Sequence, residues 1–434
     1  MKAKKTVCLL IAFCMLFVFS GCGLSGGNNL VSPPELTGEM YPISKALRDS
    51  AGSDYDLKYP TSGERRSAIV LEDINSDGTF EAFAFYSTNE DEMTHMHITV
   101  ICQTDAGWVS VNDQTIVATG VETVDFCDLN NDGIEEILVG WVVNGTSEKQ
   151  LSVFTFENDK LVQKLIQPYT NFICCDLDNN AVSELFVHLL NTSEKSNKAI
   201  IYSFNGSDMA QTAGCIMDRN VKTSEPPTVS VLSSGQKAIY IDEIKGVGAV
   251  TEVLYFLRGE LVNPLLDTEN SYENTVTLRA ASLRFKDINA DGIIEIPVAS
   301  DLPGAGSDES AYYTNWCSFN GEKLSTKLVT LVNTVDGYYL ILPNSYIGNI
   351  AVLKDLDEHK RQIYTYDQAT ETVGDPLFSI TAVDIKKWQS DDYDTSGMTE
   401  ITRTDSTVFA TAVSGTESFK ISIDEIKNMF KIIE

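Results

Sequence analysis

Asp128-Leu-Asn-Asn-Asp-Gly-Ile-Glu-Glu136 carries oxygen-bearing side chains at its positions 1, 3, 5 and 9 and a glycine at position 6. The same spacing begins at Asp73 (through Glu81), at Asp287 (through Glu295) and, with Ala181 in place of the glycine, at Asp176 (through Glu184). A hard divalent cation such as Ca²⁺ takes about six to eight oxygen ligands from a tightly curled loop. Alternating Asp and Asn side chains, a backbone carbonyl at position 7 and a carboxylate at position 9 can supply them. Glycine at position 6 turns the chain at φ > 0 without steric penalty. The candidate ligands are therefore Asp73, Asn75, Asp77, Thr79 and Glu81; Asp128, Asn130, Asp132, Ile134 and Glu136; Asp176, Asp178, Asn180, Val182 and Glu184; and Asp287, Asn289, Asp291, Ile293 and Glu295. Thr79, Ile134, Val182 and Ile293 would contribute main-chain oxygen. In the third loop Ala181 and Asn180 reduce both curl and charge, which predicts the weakest binding there.

The loops start 55, 48 and 111 residues apart, so the last interval is twice a unit. Each unit also ends a strand at a tight turn: Thr104–Trp108, Phe156–Leu161, Phe204–Ser207 and Phe319–Leu324. Asn205-Gly206 and Asn320-Gly321 are two-residue hairpin signals. The long interval supplies a fifth such turn at Phe256–Leu261. The segment Tyr240–Ala249 stands where its loop is expected, without the ligand spacing. Five units of roughly fifty residues from about Ser62 to Asn333 mean a solenoid, propeller or array.

Within each unit the texture is all β. Apolar runs at Ala82–Tyr86, Ile137–Trp141, Leu185–Leu190 and Ile296–Ala299 read as inner strands covered on both faces. Pro297 breaks the last of them and predicts a bulge or sheet edge. Short strands repeated five times indicate a β-propeller. Leu36–Ser50 has the periodicity of a short helix. Beyond Asn333 the repeat stops, and strands at Tyr338–Leu342, Ile350–Leu353, Gln362–Tyr366, Leu377–Val383 and Val408–Val413 read as a separate α+β domain. Ser422-Ile-Asp-Glu425 is a capping box opening its helix. The expected organisation is a leader over 1–21, a tether over 22–40, a propeller over 41–333 and a C-terminal α+β domain over 336–434.

The front end is a targeting segment. Lys2, Lys4 and Lys5 precede an apolar run from Val7 to Phe19, too short for a confident span. Phe19-Ser20-Gly21-Cys22 resembles the bacterial lipobox, although Phe19 stands where that motif usually has Leu. The resemblance implies cleavage before Cys22, an acyl-modified cysteine and anchoring to the extracytoplasmic face of a bacterial cell membrane. The chain has a formal net charge of −30, and −33 once the three leader lysines are gone. Such a surface repels phosphate backbones, which excludes nucleic acid as a partner class. Outside Cys8, Cys14 and Cys22 the six remaining cysteines are irregularly spaced in strand-like runs and read as buried free thiols.

The flanks of the loops decide between two known settings. In an EF-hand a helix follows and position 12 is acidic; here position 12 is Ala84, Val139, Val187 or Val298, and strands follow. With Glu81, Glu136, Glu184 and Glu295 at position 9 and a period near fifty, the units resemble FG-GAP/VCBS repeats, the integrin-α-type propeller family. The likeness covers about residues 62–333, with Glu where that family commonly has Asp. It implies several structural Ca²⁺ ions that rigidify the propeller's hairpin loops.

Elsewhere the chemistry reads as structural. His95 and His97 lack clear partners, His188 lies in an apolar strand, and His359 follows an incomplete loop at Asp355. Gly304–Glu309 reads as a connecting insertion, and acidic pairs are too common in this chain to mark a glycosidase. The sequence therefore points to a lipid-anchored, calcium-binding module for a protein, peptide or glycan. The alternative is an extracellular glycosidase or lyase on the same scaffold.

Overall fold

In a computed structural model the described residues are 40–88, 95–143, 149–303, 312–355, 357–414 and 420–433. The leader, Cys22 and its tether, and the insertion at 304–309, lie outside them. Among the described residues no helix is long and apolar enough to cross a membrane.

The described residues are mainly β, arranged as six antiparallel sheets that follow one another in sequence. In the first sheet Tyr55–Leu57 and Ile69–Glu72 both flank Glu81–Thr88, followed by His95–Thr104 and Gly107–Val117. The second sheet runs in chain order through Gly120–Cys127, Glu136–Val142, Lys149–Glu157 and Lys160–Tyr169, and the third through Asn171–Cys175, Glu184–Asn191, Ser196–Asn205 and Asp208–Ile216. The fourth centres on Lys237–Lys245 and Gly248–Leu257, and the fifth begins Ile296–Asp301, Tyr312–Phe319, Leu324–Asn333. All five expected tight turns join neighbouring antiparallel strands. Pro297 sits on the edge strand of the fifth sheet, where its missing N–H needs no partner.

A feature hidden from sequence reading recurs in four of these sheets. The pairing of the strands at the tight turn shifts register at Val100/Ile101, Val153/Phe154, Ile201/Tyr202 and Trp316/Cys317. A bulge bends and twists a strand at a fixed distance from its hairpin, so the units share backbone shape as well as motif.

Two expectations need correction. Tyr240–Lys245 is not a degenerate loop but the inner strand itself, paired in register with Gly248–Val253. The loop's place in the fourth unit is taken by the turn Leu232–Gln236, closed by Leu232 N donating to Gln236 O at 2.7 Å. Nor is Tyr338–Ile341 detached from the repeats. It is the fourth strand of the fifth sheet, and Phe430–Ile432 returns from the chain end to pair with it. The apolar run of that strand continues the sheet because its side chains are buried in a core shared with the C-terminal residues. The rest of the C-terminal region forms the sixth sheet, in the order Ile350–Asp355, Lys360–Asp367, Thr372–Asp384, Thr407–Val413, Thr399–Arg403. Ser422 caps the helix Ile423–Met429 with the expected reciprocal box to Glu425.

Apolar clusters join each sheet to the next. Phe83 and Phe85 meet Ile137 and Trp141; Leu138 and Val153 meet Leu185 and Val187; Phe186 and Ile201 meet Ile239 and Ile241; Tyr240 and Val253 meet Ile296 and Phe319. The fifth and sixth sheets share Tyr313, Tyr338, Ile363 and Phe409. At the other end, the helix Met40–Ala51 lays Ile43 and Leu47 on Ala82, Ala84 and Tyr86 of the first sheet. The free face of the first sheet is thus covered by a helix and that of the fifth by a sheet.

Candidate functional site

The four loops enter the inner strands with one hydrogen-bond scaffold. In the second loop, Asp128 accepts from Asn131 N at 2.7 Å and from Gly133 N at 3.0 Å, Asn130 accepts from Asp132 N, and Asp132 accepts from Ile134 N, both at 2.8 Å. The loops at Asp73 and Asp287 repeat the bonds from the position-6 glycine to Asp73 and Asp287, and from position 7 to Asp77 and Asp291. Positions 4 and 6 both adopt left-handed backbone: Ser76 and Gly78, Asn131 and Gly133, Asn179 and Ala181, Ala290 and Gly292. The position-6 glycines were legible in the sequence; the left-handed position 4 was not, because Ser, Asn and Ala share no signal.

The position-9 glutamates go inward. Glu81, Glu136, Glu184 and Glu295 are all buried, and in each loop one carboxylate oxygen accepts from the backbone N–H of position 2: Ile74, Leu129, Leu177 or Ile288. Burial, followed by repulsion from the loop aspartates, pushes the Glu136 and Glu184 carboxyls up to about 7, and raises those of Glu81 and Glu295. Such a carboxylate, beside two further acids and without a basic side chain of its own, fits a bound divalent cation. Glu136, Asp128 and Asp132, with Asn130 and the Ile134 carbonyl, would hold it in the second loop. The ion would supply charge neutralisation and cross-bracing. The first two loops also touch: Glu135 N donates to Ile74 O at 2.7 Å. This bond ties the two loops together.

The third loop departs from expectation. It keeps its curl, because Ala181 holds φ +69° despite its Cβ. Oxygens of Asp176, Asp178 and Glu184 come within 4.8 Å of one another, an acidic cluster that could bind a metal ion. It owes this to Asp178, where the other loops have Asn at position 3. From the fourth sheet, Lys237 Nζ donates to Asp176 O at 2.7 Å and reaches Asp176 Oδ2 at 3.3 Å. The loop thus already holds one positive charge. Replacing Ala181 with Gly should relieve left-handed strain of about 1 kcal/mol and raise the loop's calcium affinity, read by calorimetry. An affinity unchanged in Ala181→Gly would show that Lys237, not backbone strain, limits it.

A second polar assembly was missed. It lies between the third and fourth sheets and is closed to solvent: His188, Asn197, Asp218, Glu243 and Glu252 are each 0–1% exposed. His188 Nε2 lies 2.7 Å from Asn197 Oδ1 and 3.3 Å from Glu243 Oε1, and Asn197 Nδ2 donates to both oxygens of Glu243. Glu252 accepts from Asn263 Nδ2 at 2.6 Å and from Asp218 N at 3.2 Å. Asp218 in turn pairs with Lys245 at 2.8 Å. On the opposite face of the same strands, Asp242 is buried against the Arg279 guanidinium. The signal was present in Ile241-Asp-Glu-Ile244 and Val250-Thr-Glu-Val253, where acids interrupt apolar strands.

The histidines divide similarly. His97 does have an acidic partner, Asp113 Oδ2 at 2.7 Å, and stacks on Tyr86. His188 is buried and hydrogen-bonded as expected, and His359 pairs with Asp336 at 2.6 Å. The six cysteines among the described residues are free thiols, Cys317 buried and the others half-buried.

No protein-family profile matches the chain, and no curated protein matches it in sequence. Several solved structures align weakly with much of its length. A rhamnogalacturonan lyase is 12% identical, with 74% of this chain and 77% of that one covered at a TM-score of 0.32. A second lyase of that kind, from Bacillus licheniformis, is 10% identical over 74% and 76%, also at 0.32. The periplasmic gluconolactonase of Pseudomonas aeruginosa is 14% identical over 76% and 89%, at 0.25.

Proposed function

We propose that this chain is a lipid-anchored, extracytoplasmic binding module whose repeated sheets are FG-GAP/VCBS-type blades, set in a row between the helix Met40–Ala51 and the sixth sheet and stiffened by Ca²⁺. The observation that carries this reading is the repeated burial of a position-9 glutamate under the same backbone N–H in four loops. One backbone N–H alone leaves a buried carboxylate beside two aspartates poorly compensated, whereas a cation bridging loop and sheet would offset its charge. Strands rather than helices flank every loop, so the ion braces blades instead of opening a helix pair. The work of recognition then falls to the surfaces that the loops hold in place, for a protein, peptide or glycan.

One acidic cluster is closed to turnover. The buried acids Glu243 and Glu252 are sealed from solvent, so they offer a substrate no access. The deciding experiment is incubation with a glycan panel: retention without new reducing ends or unsaturated products supports a binding module. Depolymerisation of any glycan would instead establish the carbohydrate-active alternative. Anchoring has its own test. Cys22→Ala should move the protein from the membrane to the soluble fraction and abolish labelling by a fatty-acid probe. Unchanged fractionation and labelling would remove the lipid anchor from this reading.

A further inference from the structure

The first strands of the second and third sheets, Gly120–Cys127 and Asn171–Cys175, are edge strands that each lead into a loop. Cys127 stands one residue before Asp128, and Cys174 stands two residues before Asp176. The repeat brings these two positions together. At the preceding junction they are Glu72 and Phe126, and both meet Arg65. Its guanidinium donates to Glu72 Oε2 at 2.9 Å and lies 4.9 Å from the Phe126 ring centre.

At the next junction the same two positions are both thiols. Cys127 and Cys174 pack against one apolar layer, with Leu138, Val153 and Leu185. Within it the Cys174 thiol is hydrogen-bonded to Cys127, as is Ser183 from the end of the third loop. Successive side chains of a strand point to opposite faces. Cys175 accordingly turns away and packs in the following layer, with Ile239 and Leu254. The pleat thus selects Cys174 over Cys175 as the partner of Cys127. Both members of the pair are half-buried, which leaves them open to a small reagent.

We propose that Cys127 and Cys174 are a redox modification site, in which an inter-sheet disulfide staples the strands that carry the second and third loops. Two S–H bonds break and one S–S bond forms. The two electrons and two protons pass to a small organic disulfide, whose own S–S bond breaks to release two thiols. Exchange runs through a mixed disulfide on one cysteine, from which the other displaces the second thiol. The two cysteines are 47 residues apart in the chain, and a bridge across a long loop stabilises mainly by restricting the unfolded state. The bridge takes the part that Arg65 plays at the junction before it.

The test is incubation of the reduced full chain with oxidised glutathione in saturating calcium, then alkylation of the remaining thiols and peptide mapping without reduction. The expected product is a cross-linked peptide joining Cys127 to Cys174, with Cys175 still open to alkylation. The bridged chain should melt about 5 °C higher than the reduced one, and dithiothreitol should reverse the gain. Cys174→Ser should lose both the cross-link and the oxidant-dependent gain, whereas Cys175→Ser should keep both. Each variant is compared with itself before and after oxidant, so a change in its own stability does not enter. The proposal is overturned if both thiols stay open to alkylation, or if the reaction stops at a glutathione adduct. It also fails if Cys175 replaces Cys174 in the bridge, or if the bridged chain melts no higher than the reduced one.

Discussion

Excess EDTA should lower the melting temperature of this protein, and Asp132→Ala should lower it in calcium while changing little once calcium is gone. The Glu136 carboxyl is 1% exposed and lies beside the acids of its own loop. Without a cation it must either hold a proton or sit as a buried anion, and both weaken the loop. An ion that binds only the folded state at a hundredfold excess over its Kd adds about 2.7 kcal/mol per site. That is several degrees of melting temperature per loop for a chain of this size. Because the first two loops are hydrogen-bonded through Glu135 and Ile74, the double variant Asp77→Ala/Asp132→Ala should lose less than the sum of the two single losses, since each single variant already removes the shared coupling. Melting curves that superimpose with and without chelator would dispose of the metal assignment.

The second large effect concerns pH. Burial, reinforced by the neighbouring Glu243 carboxylate, pushes Glu252 up from an ordinary 4.5 to about 8. The folded chain then keeps a proton that the unfolded chain releases above the ordinary value. Stability from this group is fully present below about 4.5, falls as pH rises toward 8, and levels off above it. The limiting slope for one proton is about 1.4 kcal/mol per pH unit. Glu252→Gln keeps the shape and removes the titration, so it should flatten this decline and be more stable than the parent at pH 9. Chemical denaturation from pH 5 to 9, in saturating calcium, provides the comparison. Parallel profiles for parent and Glu252→Gln would mean that Glu252 does not carry the buried proton.

The repeat, the hairpins and the ligand spacing were legible because they rest on local rules. Glycine marks a left-handed turn, Asn-Gly marks a hairpin, and an oxygen at alternate positions marks a curled loop. What could not be read depended on partners distant in sequence. Lys237 lies 61 residues from Asp176, the loop it neutralises. Tyr338–Ile341 looked detached because its last neighbour, Phe430–Ile432, comes from the chain end. The fourth unit was misplaced by one strand because, with the ligand spacing gone, only its hairpin marked the frame. The acids at 242, 243 and 252 interrupt apolar strands in the sequence, but the partners that enclose them come from the packing of separate sheets and loops.

A row of sheets in which each grips mainly the next behaves as a nearly one-dimensional chain of couplings, with total stability close to a sum of unit and neighbour terms. The helix Met40–Ala51 and the sixth sheet, seated on the two outer faces, then act as terminators of that sum. Their presence lets the number of interior units change without leaving an apolar face bare to solvent. A gene encoding such a row can gain or lose a fifty-residue unit at modest penalty, provided that both terminators are kept.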